Sequence, residues 1–74
     1  MQLKILRVMA ALTQAEAAAE VGVNQATISD WERGEYKPSP EAVAKLARVY
    51  SVTEAKIVKA VEATVRKAKE AHDV

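Results

Sequence analysis

Apolar residues recur every three or four positions along most of the chain, which is the spacing of one face of an α-helix. Polar or glycine-containing segments interrupt this spacing, so the pattern predicts an all-α domain of five helices. The inward positions predicted for the first helix are Leu3, Leu6, Ala10 and, at the margin, Met9. The fourth helix begins at Ser39-Pro40, an N-cap followed by a first helical residue. Its predicted inward positions are Val43, Leu46, Ala47 and Tyr50.

The stretch from residue 13 to residue 34, TQAEAAAEVGVNQATISDWERG, predicts two short helices joined by a tight turn. Thr13 and Glu16 have the spacing of a capping box at the start of the first of these helices. Gly22 suits the turn because glycine takes a positive φ without steric cost. Asn24 is a good N-cap for the second helix, and Gly34 suits the position just after its end.

Each of these two helices has one apolar face, and the faces predict that the helices pack against each other. The apolar positions are Ala17, Ala18, Val21, Val23, Ile28 and Trp31. Trp31 shares a side with Ile28 and is therefore predicted to be a core residue rather than one that binds a ligand. The opposite side of the second helix carries Gln25, Ala26, Ser29, Asp30 and Arg33.

These residues resemble the helix-turn-helix of the phage repressor and Cro family of bacterial regulators. The matching pattern is TQ-x-E, a small residue, VGV-N-Q and then IS-x-WERG, and the resemblance covers roughly residues 3 to 58. It implies a compact five-helix fold like that of lambda repressor. The function it implies is sequence-specific binding of double-stranded DNA by a transcription regulator. We expect a Cro-like repressor that occupies a palindromic operator as a homodimer.

The resemblance assigns a DNA-binding set to this sequence: Gln14, Asn24, Gln25, Ala26, Thr27, Ser29, Asp30, Arg33 and Lys37. Gln14 would bind a phosphate at a helix N-terminus, where free amides favour anions. Gln25 can pair with adenine, and Ala26 or the Thr27 methyl group can touch a thymine methyl group. Lys37 would bind a phosphate in the loop after the second helix, with Tyr36 as a hydroxyl donor.

Some of these residues also have structural interpretations that the sequence leaves open. Gln14 can be an ordinary polar residue of a first helical turn, and Lys37 an ordinary exposed lysine. Thr27 lies toward the core and can pack there or bond back to its own helix. Asp30 can accept a hydrogen bond from cytosine or pair locally with Arg33 three residues later.

Arg7 lies among the apolar residues of the first helix. The resemblance implies that it pairs with Glu32, at the end of the second helix of the motif, and so ties the two helices together. The alternative is a solvated arginine whose stem covers apolar surface.

The last predicted helix is longer than the family's, because the helical pattern continues from Glu54 to about His72 without glycine or proline. Ile57, Val58 and Val61 are predicted to complete the core. We therefore expect one domain over residues 1–74, with residues 62–74 as a helical extension. The spacing of three and four also predicts a short dimer seam, with a solvated tail as the alternative. The residues of this seam are Val58, Val61, Val65 and Ala68.

Charge and composition bear on the class of function. The net charge is +1, and residues 1–52 carry six cations and six carboxylates, which is low for a nucleic-acid-binding protein. This balance keeps open a protein-interaction module such as an antitoxin-like helix-turn-helix protein. Without cysteine, and with His72 as the single histidine, we expect no enzyme, no metal and no cofactor. No apolar run is as long as a membrane span, so cytoplasmic residence is expected.

Overall fold

The structure is a computed structural model that describes the backbone of residues 1–72 and the side chains of residues 1–70. The five helices are α1 (Leu3–Met9), α2 (Gln14–Val21), α3 (Gln25–Arg33), α4 (Pro40–Val49) and α5 (Glu54–His72). The described residues contain no strand, and the predicted all-α five-helix class is confirmed. Within residues 1–72, none of the helices is both long enough and apolar enough to cross a bilayer. The last two residues of the predicted extension, 73 and 74, lie outside the described residues.

Local sequence signals set the ends of α2 and α3. Thr13 Oγ1 accepts from the Glu16 amide at 3.1 Å, and Glu16 Oε1 accepts from the Thr13 amide at 2.9 Å, so the capping box is complete. Asn24 Oδ1 accepts from the amide three residues later at 2.9 Å and caps α3. Gly22 and Gly34 end the two helices with φ of +86° and +76°, the left-handed conformation that glycine favours.

The core lies where the five helices meet, and every helix contributes to it. Its buried apolar residues are Leu3, Leu6, Ala17, Ala18, Val21, Ile28, Trp31, Leu46, Ala47, Tyr50, Ile57, Ala60 and Val61. Trp31 is 8% exposed, as its place on the Ile28 side predicted. The opposite side of α3 is thereby left at the surface, where a ligand can reach it.

Two residues predicted to face inward lie at the surface instead. Met9 is 68% exposed, because the buried side of α1 is centred on Leu3, Leu6 and Arg7. Val58 is 44% exposed, because Ile57 and Val61 already fill the side of α5 that faces the core. The prediction of Val58 as a core residue is therefore wrong, and its side chain is available at the surface.

The part of α5 beyond Val61 is packed against the rest of the domain. Thr64 is buried, and its hydroxyl accepts from the Leu3 amide at 3.0 Å and donates to the carbonyl of Ala60 at 2.7 Å. Val65 packs against the core. The first turns of the extension after Val61 therefore contribute to the packing of the domain.

Gly34, at the end of α3, also lies close against α5. A Cβ atom on Gly34 would lie 3.0 Å from Ala68 Cβ and 3.1 Å from the carbonyl oxygen of Thr64, distances that real Cβ atoms rarely show. The end of α3 thus sits directly on α5. We call the contact formed by Gly34, Thr64, Val65 and Ala68 the small-residue junction.

Candidate nucleic-acid interface

The outward side of α3 presents short polar and small side chains. Gln25 and Ala26 are exposed in its first turn, and Ser29 and Asp30 are half-buried one turn later. Ile28 on the other side is 1% exposed and fixes the rotation of the helix. A helix with one face buried and a polar face exposed can enter a major groove and bring its N-terminal residues to base edges.

The polar junction, formed by Arg7, Gln14 and Glu32, joins α1, α2 and α3. Arg7 Nε donates to Glu32 Oε2 at 2.6 Å, and Arg7 Nη2 donates to Glu32 Oε1 at 3.2 Å. Gln14 Nε2 donates to the same Oε1 at 3.0 Å. Gln25 Nε2 in turn donates to Gln14 Oε1 at 3.5 Å, a long contact that extends the junction to the outward face of α3.

The Arg7–Glu32 pair has little access to water. The two side chains are 10% and 6% exposed. Arg7 Nη1 also donates to the Leu12 carbonyl at 2.8 Å. The hydrogen bond to Glu32 raises the pKa of Arg7, so the guanidinium keeps its positive charge. The arginine is therefore a bidentate tie between α1 and α3 and not a solvated side chain.

Tyr50 packs beside this pair at the end of α4. Burial first, and then the negative charge of Glu32, raise the pKa of Tyr50 to about 12. Both effects favour the neutral hydroxyl. The core beside the polar junction therefore disfavours an additional negative charge.

The cation of the outward face, Arg33, is engaged by its own helix and the following loop. Its guanidinium donates to Ser29 Oγ at 2.6 Å and to Asp30 Oδ1 at 2.5 Å, and it lies 3.4 Å from a Glu35 carboxylate oxygen. Of the two interpretations of Asp30, the structure has the local pair with Arg33. Arg33 is 54% exposed, so these contacts are solvent-screened and weak.

Asn24 and Thr27 both stabilise the first turn of α3. Thr27 is half-buried, and its hydroxyl donates to Asn24 Oδ1 at 2.9 Å, the atom that also caps the helix. The side-chain oxygen of Asn24 is thereby occupied, whereas its amide nitrogen can still donate to a phosphate.

The loop after α3 exposes Lys37 and Tyr36, the latter at 66%. Residues 13–38 as a whole carry five carboxylates and two cations, Arg33 and Lys37, a net charge of −3. The part of DNA affinity that does not depend on sequence comes largely from cations that neutralise phosphates. The chain around the outward face of α3 is therefore poor in the charge that holds DNA nonspecifically.

Sequence reasoning missed two features of this region. Glu35 forms an ion pair with Arg33, as Asp30 does. The only signal for the Glu35 pair in the sequence is its position two residues after Arg33. Thr64 is a buried polar residue between valine and alanine, and its position within an apolar stripe was a signal that it has a partner. Among the described residues, no group of histidine, aspartate and glutamate side chains has the arrangement of a metal site.

Two short helices joined by a glycine turn, the second with a buried and an exposed polar face, define a helix-turn-helix domain. The chain belongs to the helix-turn-helix family, whose model, described as Helix-turn-helix, matches residues 3–57.

One relative carries the assignment further. Over 37 residues the chain is 54% identical to the regulatory protein Cro of Pseudomonas phage D3. These residues are 50% of this chain and 49% of the phage protein, so the chain spans about half the length of the curated relative that it matches. No solved structure matches the chain significantly. The resemblance to the phage repressor and Cro family is confirmed.

Proposed function

We propose that this protein is a transcription regulator that binds a specific sequence of double-stranded DNA and represses by occupying its operator in the cytoplasm. The observation that carries the proposal is the exposed first turn of α3, where Gln25 meets Gln14 at 3.5 Å. Two amide side chains from different helices stand there side by side, one suited to a base edge and one to a phosphate. Family membership and the Cro relative support the same class of function.

The roles divide between reading bases and binding phosphates. Gln25 pairs with adenine, and Ala26 with the Thr27 methyl group contacts thymine methyl groups. Gln14 and Asn24 bind phosphates beside the groove, together with Lys37 from the loop. Ser29, Asp30 and Arg33 lie one to two turns further along α3, where Arg33 can exchange its weak pair with Asp30 for contact with a base or a phosphate.

The low charge of residues 13–38 has two consequences for this function. Few cations are placed to release counterions, so affinity should fall only shallowly with rising salt. A single domain should also bind weakly. Two copies on half-sites about 34 Å apart would add their contacts and read a palindrome.

We assign the dimer contact to the seam on α5, formed by Val58, Val61, Val65 and Ala68. Val58 is its most exposed member at 44%, beside a groove that Lys37, Pro38 and Val43 also line. Val65 and Ala68 also contribute to the small-residue junction, so the interface they add is small. DNA would help to assemble such a dimer, because both copies bind adjacent half-sites.

Selection of bound sequences from a random pool of DNA duplexes tests the function. A single enriched palindrome is expected. Gln25→Ala should weaken binding to that sequence by about 1–3 kcal/mol and relax the preference at one base position. Gln2→Ala is the matched control, since Gln2 precedes α1 and has no place on the outward face of α3. Equal binding of all sequences by the parent and the Gln25 variant would contradict the role of Gln25.

Val58→Asp tests the dimer, because it places a charge in the seam without removing a buried side chain. We expect a smaller dimer population in sedimentation and a lower operator affinity. Val8→Asp is the matched control: Val8 is also an exposed valine, 58% accessible, but lies on α1. A dimer unaffected by Val58→Asp would move the interface elsewhere.

The alternative is a protein-interaction module, which the net charge of −3 over residues 13–38 favours. The two functions give opposite results in the duplex selection. Failure to enrich any sequence, with the domain folded, would favour the interaction module.

A further inference from the structure

The described residues include six large apolar side chains that are exposed, and four of them belong to α1 or immediately precede it. Met1, Ile5, Val8 and Met9 are exposed at 57%, 45%, 58% and 68%. Ile5, Val8 and Met9 are spaced by three and one, so they share the side of α1 that is opposite to its buried residues. We call Ile5, Val8 and Met9 the α1 patch. Contiguous exposed apolar side chains are a common feature of protein interaction sites.

The α1 patch continues into a groove against α5. The groove is lined by Ile5 and Ala63, with Arg66, Lys67 and Glu70 on the α5 side. Lys4 is exposed next to Ile5, and α1 itself carries no carboxylate. The patch and groove thus have an apolar floor flanked by three cations and one carboxylate, net +2, whereas the whole chain carries +1.

The patch faces away from the proposed DNA-binding surface. The buried side of α1 is tied to α3 through Arg7 and Glu32, and to α5 through the Leu3 amide and Thr64. The exposed side is therefore turned away from α3. A partner could occupy it while the outward face of α3 is bound to DNA, so the patch and the outward face of α3 are separate surfaces.

We propose that the α1 patch and its groove bind another protein through an amphipathic helix whose apolar stripe is flanked by carboxylates. A groove between two helices accepts such a stripe through residues spaced by three and four. Carboxylates beside the stripe would pair with Lys4, Arg66 and Lys67. These pairs would set the orientation of the partner helix in the groove.

Charge and size decide against the other occupants. A second copy of this chain would bring two sets of the same three cations together, which is unfavourable. An anionic membrane would attract the cations, but α1 is only 7 residues long and Glu70 lies in the groove. Helices that bind membranes in the interface have a longer apolar face and a strongly basic polar face.

The test uses three synthetic peptides of about 18 residues, long enough to form a helix on binding. The first has leucines at spacings of three and four with glutamate elsewhere. The second replaces the glutamates by lysines, and the third keeps the first composition with the leucine spacing scrambled. Fluorescence anisotropy gives each affinity, and NMR shifts of the methyl groups of Ile5, Val8 and Met9 locate the binding.

The first peptide is expected to bind at least about tenfold more tightly than the other two, and to bind less tightly as salt rises. Val8→Asp and Lys67→Glu should each weaken it about tenfold. Val58→Asp is the matched control and should leave peptide binding unchanged. Thermal melts monitored by circular dichroism establish that each variant is folded, and operator affinity of Val8→Asp should equal that of the parent.

Four results would overturn the proposal. Absence of binding would exclude an amphipathic helix as the partner. Equal binding of the glutamate and lysine peptides would show that complementary charge does not select it. Binding to vesicles of equal parts phosphatidylglycerol and phosphatidylcholine, with no binding of the first peptide, would assign the patch to a membrane. A dimer in sedimentation that Val8→Asp dissociates would assign it to a second copy. None of these results depends on whether the protein binds DNA, so the two proposals fail separately.

Discussion

The polar junction and the small-residue junction both hold α3, but they do so by different physics. At the polar junction, Arg7, Gln14 and Glu32 make directional hydrogen bonds of 2.6 to 3.2 Å between three helices. At the small-residue junction, Gly34 approaches α5 so closely that a Cβ atom would lie 3.0 Å from Ala68. The polar junction depends on the charges of Arg7 and Glu32, and the small-residue junction depends on the absence of a side chain at Gly34.

This difference assigns the two junctions different tasks. Hydrogen bonds fix the direction of side chains, and the polar junction ends at Gln14 and Gln25 on the outward face of α3. Steric contact fixes the distance between backbones, and the small-residue junction sets how near the end of α3 lies to α5. Damage to the polar junction should therefore disturb stability and base reading together. Damage to the small-residue junction should act mainly on stability.

The largest effect is expected at the polar junction. Arg7→Met or Glu32→Leu alone should lower the free energy of unfolding by about 3–5 kcal/mol, because the remaining charge is buried without its partner. Urea denaturation measures the loss. It is a large share of the stability of so small a domain.

The double variant Arg7→Met with Glu32→Leu is the control for this prediction. It leaves no unpaired charge, so its loss should be smaller than either single loss. Gln14 loses a hydrogen-bond partner in Glu32→Leu but not in Arg7→Met. Operator affinity should therefore fall more in the Glu32 variant than in the Arg7 variant. A single variant with an unchanged urea midpoint would show that the pair contributes nothing.

Sequence reasoning was most successful where the determinants are local. The ends of α2 and α3 depend on residues three apart, such as Thr13 and Glu16, and the structure has them as predicted. The pairing of Arg7 with Glu32, 25 positions later, followed only from the resemblance, since spacing cannot specify how two helices cross. Interpretation of Asp30 needed the position of the Arg33 side chain, which helical spacing alone leaves open.

The errors fall where small residues and helix packing decide the outcome. Val58 has the spacing of a core residue, but the structure uses Ile57 and Val61 for that purpose and leaves it at the surface. Gly34 and Ala68 carry little hydrophobic signal, so the pattern could not indicate that they touch. The spacing therefore predicts a dimer seam or a solvated tail after Val61, and it does not indicate that this part of α5 supports the end of α3.

An intermediate effect is expected at the small-residue junction. Gly22 and Gly34 both have positive φ, but a Cβ on Gly22 would meet nothing within 4 Å. Gly22→Ala should thus cost only the backbone strain, roughly 1–2 kcal/mol. Gly34→Ala should cost about 1–3 kcal/mol more than Gly22→Ala, because its Cβ is forced against α5. Urea denaturation of both variants measures the difference.

A second-site change sharpens this prediction. Ala68→Gly removes the Cβ atom that Gly34→Ala would meet, so it should cost less in the Gly34→Ala background than in the parent. Base selectivity should stay the same in Gly34→Ala, in Ala68→Gly and in the double variant, whereas Glu32→Leu should change it. Equal losses for Gly22→Ala and Gly34→Ala would mean that α5 does not support the end of α3.

The smallest effect concerns Tyr50 and appears only in alkali. Burial and Glu32 raise the pKa of Tyr50 from 10.0 to about 12, so between these values the folded chain keeps a proton that the unfolded chain has lost. The stability that this proton contributes is complete below pH 10 and is lost as pH rises toward 12. Tyr50→Phe cannot lose it, so the free energy of unfolding should fall less steeply in this variant over the same window. Tyr36→Phe, at a residue 66% exposed, is the matched control and should follow the parent. Parallel curves for parent and Tyr50→Phe in alkali would mean that neither burial nor Glu32 raises the pKa of Tyr50.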